Sequence, residues 1–333
     1  MIKKRNLDPS LINWIMGEAG MGPGLGDVKY VATATSATNQ HRSWLESNGV
    51  KSGSIFTTPA LAENSLTAYR NDVVVVMPGT YTFTSLLNWD KNNTHIIGSH
   101  SASPWSNNVT IQHSASTATS PWFTFAGNDC LIKNIHFKSG GSNAAQHYNI
   151  KNTGSGNHYE NCWFEGPTNG TQGQDTDVNN VLIDGGGNYF KSCIFGTTAH
   201  NTMSGAAQVG WTGSAYRSTF EDCLFFMSVN AVGGRMLDCG KSSSDISGPQ
   251  FFRNCMFTAW YAGHADQCTA LVYDNNKAGT GQLLFDPNCM FVGFDKIVTG
   301  GSSQAATYCG HPLTAAHDGT VAGLIERQTG SNP

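Results

Sequence analysis

The pentapeptide ENCWF, residues 160–164, has four counterparts further along the chain. They are KSCIF (191–195), EDCLF (221–225), RNCMF (253–257) and PNCMF (287–291). In each, a cysteine follows a small polar residue and precedes a phenylalanine by two positions, and successive cysteines are 31, 30, 32 and 34 residues apart. A repeat of roughly 20 to 50 residues indicates a solenoid or a related repetitive architecture.

The spacing within each pentapeptide is that of a β-strand. Side chains two residues apart project to the same face of a strand, so each cysteine shares a face with its phenylalanine. The residues between them project to the other face: Trp163, Ile194, Leu224, Met256 and Met290. The residues ahead of the cysteines are types that tolerate a left-handed backbone, which predicts a bend between two strands: Asn161, Ser192, Asp222, Asn254 and Asn288. KNIHF (133–137) adds an earlier repeat, with Asn134 at the bend and Ile135 in the cysteine's place.

Another apolar stretch precedes each pentapeptide, for example YNIKN (148–152) and VLIDG (181–185), and a glycine-rich turn links the two. One repeat is therefore strand, turn, strand, bend, short strand and variable loop. The sequence lacks the helical apolar period that a helical solenoid requires, and a propeller would need antiparallel strands joined by tight hairpins. The pattern predicts an all-β fold, a right-handed parallel β-helix solenoid whose equivalent residues stack about 4.8 Å apart.

Stacking of equivalent positions predicts three ladders along the solenoid. The first is a buried column of reduced thiols: Cys162, Cys193, Cys223, Cys255 and Cys289. The second is a column of rings: Phe137, Phe164, Phe195, Phe225, Phe257 and Phe291. The third lies at the bend and contains Asn134, Asn161, Asn254 and Asn288. The odd total of nine cysteines also argues against a disulfide framework.

The segments outside the repeats are expected to form the ends of the molecule. PALAENSLTAY (59–69) is predicted to be a short helix that caps the exposed strand edges. The expected organisation is an N-terminal arm for attachment or assembly (1–30, with Leu11, Trp14 and Ile15 as contact residues), an N-terminal cap (31–70), the parallel β-helix (71–297) and a C-terminal cap or tail (298–333).

Composition excludes several classes of partner. Charged residues make up 13% of the chain and the formal net charge is −4, which is not the basic character of a nucleic-acid-binding protein. No apolar stretch approaches the roughly 18 residues of a membrane span. The N-terminus contains Asn6, Asp8 and Pro9 before any apolar run, unlike a signal peptide. We therefore expect synthesis in the cytoplasm, with neither nucleic acid nor membrane as a partner.

The segments NHYENCWFEG (157–166) and DVVVVMPGTYTF (72–83) resemble right-handed parallel β-helix proteins of the pectate-lyase-like superfamily. The resemblance covers roughly residues 55–295 and is specific for the fold. In that superfamily a stacked asparagine ladder occupies the bend. Its members include polysaccharide lyases and hydrolases as well as tailed-phage virion proteins such as tailspikes and trimeric capsid cement proteins, and the fold alone does not choose among them.

The hydrolase motifs of that superfamily, NTD, DD and GHG, do not occur in this sequence. Asp175, Asp177 and Asn179 have a spacing that could direct three oxygens at Ca²⁺, but the Gly and Glu of an EF-hand loop are missing. A solvated loop is the simpler interpretation, and no metal or other cofactor is expected. The candidates for a catalytic pair of carboxylates are Glu160, Glu165, Asp184, Glu221 and Asp222. Arg217, Arg235 and Arg253 are candidates for a cationic strip that binds an anionic sugar, although such arginines are more simply partners of Glu221 and Asp238.

Four tryptophans are predicted to face outward, either for sugar stacking or for contacts in an assembly: Trp105, Trp122, Trp211 and Trp260. These observations favour a non-enzymatic structural protein of a phage virion, most simply a homotrimeric capsid decoration or cement protein on the capsid surface. Its partners would be itself and the major capsid protein or another virion protein, with a glycan as a further candidate. The alternatives are a tailspike-like protein that binds or depolymerises polysaccharide, and a secreted polysaccharide lyase.

Overall fold

The three-dimensional structure is a computed structural model. It describes residues 26–32, 39–99, 105, 109–114, 120–140, 147–168, 171, 173, 178–197, 206–212, 214–229, 235–239, 246–261, 268–274, 283–300 and 306–308.

Three long parallel sheets form the fold. The first has eleven strands, in the order Ile55–Phe56, Val28–Val31, Asp72–Val76, Thr94–Gly98, Leu131–Lys133, His158–Glu160, Tyr189–Lys191, Thr219–Glu221, Gln250–Arg253, Leu283–Phe285 and Ala306–Tyr308. The second has eight: Gly79–Phe83, Val109–His113, His136–Ser139, Trp163–Glu165, Ile194–Gly196, Leu224–Val229, Met256–Tyr261 and Met290–Val292. The third also has eight: Leu87–Trp89, Phe123–Phe125, Tyr148–Asn152, Asn179–Ile183, Ala207–Trp211, Arg235–Asp238, Cys268–Asp274 and Phe294–Gly300.

The chain visits the first, second and third sheets in turn and then returns to the first, one coil further along. Neighbouring strands pair in parallel, as Tyr159 with Phe190 and Phe164 with Phe195 illustrate. The protein is therefore a parallel β-solenoid, which confirms the predicted all-β, parallel β-helix fold class.

Two helices lie near the N-terminal end, α1 (Asn39–Ser47) and α2 (Pro59–Asn64), with a 3₁₀ turn at Ser52–Ser54 between them. α2 begins at a capping residue, because the hydroxyl of Thr58 accepts a hydrogen bond from the backbone N–H of Leu61 at 3.3 Å. This helix ends at Asn64, earlier than the predicted Tyr69, and α1 was not predicted. Neither helix, nor any other in the described ranges, is long and apolar enough to cross a membrane.

The first sheet begins earlier than the proposed start of the β-helix at residue 71, since Val28–Val31 pairs with Asp72–Val76. The buried carboxylate of Asp72 explains this pairing. It accepts hydrogen bonds from the backbone N–H groups of Asp27 and Thr67, both at 2.7 Å, and from the Arg70 guanidinium. The first strand is thereby fixed against residues 45 positions away.

Two columns of stacked aromatic rings fill the interior. In the second sheet the rings of Phe137, Phe164, Phe195, Phe225, Phe257 and Phe291 follow one another with centroid separations of 4.6 to 5.5 Å. The first sheet carries a column that was not predicted, Tyr159, Phe190, Phe220, Phe252 and Phe285, with separations of 4.5 to 4.8 Å. The columns meet edge to face, for example Phe190 on Phe195 at 5.7 Å, so the two columns form one continuous aromatic stack.

The five repeat cysteines are buried at the corner between the first and second sheets. Each thiol donates to a backbone carbonyl of the preceding coil, as Cys193 does to Tyr159 at 3.5 Å and Cys223 to Phe190 at 3.4 Å. Burial raises the pKa of Cys193 and of Cys255, which keeps these side chains protonated and unreactive. Cys130 lies outside this column, and burial raises the pKa of its thiol to about 11.

The bend residue has a left-handed backbone in five successive coils, at Asn134, Asn161, Ser192, Asp222 and Asn254. Side-chain hydrogen bonds join these positions in pairs. Asn161 Nδ2 donates to Asn134 Oδ1 and Asn254 Nδ2 donates to Asp222 Oδ1, both at 2.7 Å. Ser192 is too short to continue the amide ladder.

Asn288 departs from the predicted ladder, because its backbone is not left-handed. One extra residue separates Phe285 from Cys289, compared with the spacing of Phe252 and Cys255. The Asp286 carboxylate now accepts the bond from the Asn254 N–H that a backbone carbonyl accepts in the earlier coils.

A second polar column, at the glycine-rich turns, was not predicted. The Asn157 side-chain oxygen accepts from the Cys130 N–H at 2.9 Å, and the Asn188 oxygen accepts from the Asn157 N–H at 3.0 Å. Gln250 repeats the contact with Ser218 at 3.1 Å. These side chains satisfy backbone groups that the turn would otherwise leave buried without partners.

Replacement of Phe225 by Ala should lower the free energy of unfolding by about 3 to 5 kcal/mol, because this fully buried ring stacks on both neighbours. Denaturant unfolding followed by tryptophan fluorescence measures the change. Phe251→Ala is the matched control, since Phe251 lies on the outer side of the first sheet and is half-buried. Equal losses for the two variants would contradict the stacked core.

Candidate functional site

The outer face of the first sheet carries a column of alternating charge. Strand register places Lys133, Glu160, Lys191, Glu221 and Arg253 one above the other on successive coils. The Lys133 Nζ lies 3.0 Å from Glu160 Oε1, and a guanidinium nitrogen of Arg253 lies 4.0 Å from Glu221 Oε2. Glu160 and Glu221, two candidates for an acid pair, are therefore separated by Lys191 and paired with cations.

The remaining candidate carboxylates lie elsewhere. Asp184 follows the third sheet, where it pairs with Lys151 at 3.1 Å and accepts a hydrogen bond from the Thr212 hydroxyl. Asp222 lies at the bend and accepts from Asn254. Glu165 lies on the second sheet. In the part of the chain that the structure describes, Glu160 and Glu221 share one face but are separated by Lys191, the other proposed acids lie elsewhere, and each of the five has a partner.

The arginine pairs predicted from the sequence are present. Besides the contact of Arg253 with Glu221, a guanidinium nitrogen of Arg235 lies 3.4 Å from Asp238 Oδ2, and the carboxylate of Asp238 is buried. These arginines do not form a free cationic strip on one surface.

The outer face of the second sheet holds a compact cluster of polar and aromatic side chains. The inward direction of Phe137 and Phe164 turns His136 and Trp163 outward, and their rings stack in parallel at 4.2 Å. His136 Nε2 lies 2.9 Å from Glu165 Oε2, and Lys138 Nζ lies 3.1 Å from the same oxygen. One buried carboxylate therefore holds two basic side chains of the preceding coil.

Glu165 is held in its ionised form. Burial by itself would raise its pKa, but the hydrogen bond from His136 and the charge of Lys138 outweigh burial and lower the pKa below its usual range. A carboxylate that stays ionised cannot serve as the general acid of a glycoside hydrolase. Of the two carboxyl groups of that mechanism, an ionised one fits only the general base or the nucleophile.

Trp105 contacts this cluster from the loop that precedes the second strand of the sheet. Its ring lies 5.2 Å from Trp163 and 5.4 Å from Phe226, and it is 51% exposed. The Trp163 N–H donates to the Gly196 carbonyl at 3.0 Å. Gly196 has a positive φ, and a Cβ there would lie 2.0 Å from the Phe226 carbonyl, so only glycine fits beside the aromatic group.

The expectation of outward tryptophans was wrong for Trp122 and Trp211. Both are buried, because Trp122 packs edge-on against Phe123 and Trp211 pairs in register with the core residue Ile183. The side chain of Trp260 lies outside the described residues. Trp163 faces outward, as the strand alternation predicts, but it was not among the four tryptophans proposed to contact a sugar or a partner.

Beyond Trp163 the outer face of the second sheet becomes apolar. Register aligns Trp163, Ile194, Leu224, Met256 and Met290 in one column over five successive coils. The equivalent positions of the two earliest coils are Thr80 and Thr110. Met256 and Met290 are 39% and 49% exposed.

Of two further sets of predicted residues, the metal candidates and the attachment residues, the structure places only Asn179. Asp175 and Asp177 lie outside the described residues, whereas Asn179 is buried at the start of a strand in the third sheet. Among the residues that the structure describes, no three His, Cys, Asp or Glu side chains are grouped so that they could hold a metal ion. Leu11, Trp14 and Ile15 also lie outside the described ranges.

No protein-family profile matches the chain, and no curated protein matches it in sequence. Among solved structures, the pectin methylesterase of Aspergillus niger is 13% identical, with a TM-score of 0.48 over 89% of this chain and 94% of that one. The carrot pectin methylesterase is 10% identical, with a TM-score of 0.47 over 86% and 87%. ORF18 of Geobacillus virus E2 is 12% identical, with a TM-score of 0.35 over 76% and 58%. Similarity at this level assigns no activity to the present chain.

Replacement of Glu160 by Lys should destabilise the fold by about 1 kcal/mol, because it places three cations in succession with Lys133 and Lys191. About 0.5 M NaCl should recover most of the loss by screening. Thermal unfolding at low and high salt measures both effects. Glu160→Gln is the control, since it removes the ion pair without adding repulsion, and an identical, salt-independent loss in both variants would refute the charge column.

Replacement of Glu165 by Gln should remove stability that depends on pH. A carboxylate whose pKa is lower in the folded state stabilises the fold above its unfolded pKa of about 4.3, and the contribution disappears as the pH falls through the folded value. The difference between the native protein and the variant should be about 1.5 to 3 kcal/mol at neutral pH and shrink below about pH 4. Unfolding measured from neutral to acidic pH tests this, with Glu221→Gln as the partly exposed control. A difference that stays constant with pH would argue against an ionised Glu165.

Proposed function

We propose that this protein is a non-catalytic structural protein of a phage virion, a homotrimer that decorates the capsid and stabilises the head. The observation that carries the proposal is the state of its acidic side chains. Glu160, Glu165, Asp184 and Glu221 lie on three different sheets, and each is paired with a cation. In this proposal the charges of these acids serve cohesion between coils and not catalysis.

The N-terminal segment supplies a means of attachment in this proposal. Leu11, Trp14 and Ile15 are apolar residues at helical spacing, followed by the glycine-rich sequence GEAGMGPGLG (17–26). In this proposal the segment contacts the major capsid protein, while the solenoid is anchored at Asp27 through Asp72.

A second candidate function is the binding of a polysaccharide, as in a tailspike. Trp105 and Trp163 provide aromatic surface beside the polar groups of His136, Lys138 and Glu165, a combination that suits a sugar ring. Gel electrophoresis through immobilised polysaccharides distinguishes this candidate, because a binding protein is retarded in proportion to the glycan content of the gel.

The proposed function predicts a specific solution mass. Light scattering coupled to size exclusion should give three times the 35.6 kDa of one chain for the full chain, and three times its own smaller chain mass for a version that starts at Asp27. Only the full chain should then bind phage heads that lack decoration. A monomer in both forms, or retardation by a polysaccharide that is lost in Trp105→Ala, would favour the second candidate.

A further inference from the structure

The coils of a parallel solenoid hold one another in neighbouring pairs. Each coil contacts the coils before and after it, so the stability of the array is close to a sum over adjacent pairs. Such an array can open one coil at a time, because local openings need break only the contacts of the coil concerned. A side chain that joins coils which are not adjacent therefore changes how the solenoid opens.

Trp105 makes contacts of this kind. It lies four residues before Val109–His113, the second strand of the second sheet. Its ring is 5.2 Å from the ring of Trp163 in the fourth strand and 5.4 Å from the ring of Phe226 in the sixth. At about 4.8 Å per coil, these partners are roughly 10 and 19 Å along the solenoid from the second strand. One side chain thus links the second coil to the fourth and the sixth.

The outer face beneath Trp105 has the shape of a seat for its ring. A ring between Trp163 and Phe226 lies over the fifth strand, whose outward residues are Ile194 and Gly196. Gly196 presents no side chain there, and its carbonyl fixes the Trp163 indole through the hydrogen bond of 3.0 Å. Ile194 and Phe226 point outward and yet are only 3% and 1% exposed. This part of the face is therefore covered, as a seated ring requires.

The third coil belongs to the same cluster. The His136 ring stacks on Trp163 at 4.2 Å, and His136 Nε2 lies 2.9 Å from Glu165 Oε2 in the fourth coil. With Trp105 on the second coil and its seat on the fourth to sixth, the side chains of this face connect five successive coils without a gap.

We infer that Trp105 is a clamp that holds the second to sixth coils together, so that they open as one unit and not one after another. The inference goes beyond the proposed function, because it concerns the solenoid itself and not the surface that it binds. The two aromatic contacts of Trp105 together correspond to a change on the order of 10-fold in an opening equilibrium.

Trp105→Ala in the full chain tests the clamp by native-state hydrogen exchange, followed by mass spectrometry of the peptides. In the native protein the strands under the clamp should exchange slowly and at a common rate. In the variant they should exchange about 10-fold faster or more, with rates that differ from coil to coil. These strands are His136–Ser139, Trp163–Glu165, Ile194–Gly196 and Leu224–Val229. Exchange in Leu283–Phe285, beyond the clamp, should be unchanged.

Two further variants serve as controls. Trp105→Phe keeps an aromatic ring on the seat and should retain the slow, common rate of exchange. Trp44→Ala removes a tryptophan that is 58% exposed on α1, away from the second sheet, and should leave exchange in the clamped strands unchanged. Because Trp105 itself is half exposed, its replacement should leave the chain folded.

Three results would overturn the inference. The first is exchange in the clamped strands that is the same in Trp105→Ala as in the native protein. The second is an equal acceleration in every strand, Leu283–Phe285 included, because that is a general loss of stability and not the release of five coils. The third is a Trp105→Phe variant that exchanges as fast as Trp105→Ala, because the aromatic contacts would then not be what holds the coils.

Discussion

Register between successive coils is the constraint on which the rest of the structure depends. Each residue lies over its equivalent in the next coil, so the residues at one position must pack favourably against each other in six or more successive coils. Inside, this favours identical rings, since Phe190 and Phe220 gain from stacking on each other. Outside, it forbids identical charges, and Lys191 accordingly lies between Glu160 and Glu221. One backbone rule thus produces repetition in the core and alternation on the surface.

The repeat predicted the fold because it combines two local signals, a period of 30 to 34 residues and a cysteine two residues before a phenylalanine. The same segments contain two further signals. An aromatic residue three positions before the cysteine predicts the second ring column, and the charge between them predicts the outer column, as Phe220, Glu221 and Cys223 illustrate. These signals are visible only when the repeats are aligned on the cysteine. The extra residue before Cys289 moves Phe285 out of that alignment in the last repeat.

Other features could not be predicted from the sequence because no repeated motif marks them. Val28–Val31 joins the first sheet through the buried Asp72, whose partners are distant in sequence and follow no period. The third sheet is separated from the second by loops of variable length, so the inward position of Trp211 cannot be found by counting from a cysteine. Glu165 appeared to be one acid among several. Its fixed charge depends on His136 and Lys138 of the preceding coil, which only the register brings within 2.9 and 3.1 Å.

The contrast between the two outer faces bears most directly on what the molecule does. Stacking permits a charge at every coil, as the first sheet demonstrates, so the apolar column of the second sheet is not a by-product of the solenoid. Nor does the core need it, because the rings of Phe225 and Phe257 project to the opposite side of the same strands. Exposed apolar surface costs free energy in water and gives the isolated coil nothing in return. That cost falls mainly on Met256 and Met290 at one end of the column, because Ile194 is buried and Leu224 is half-buried.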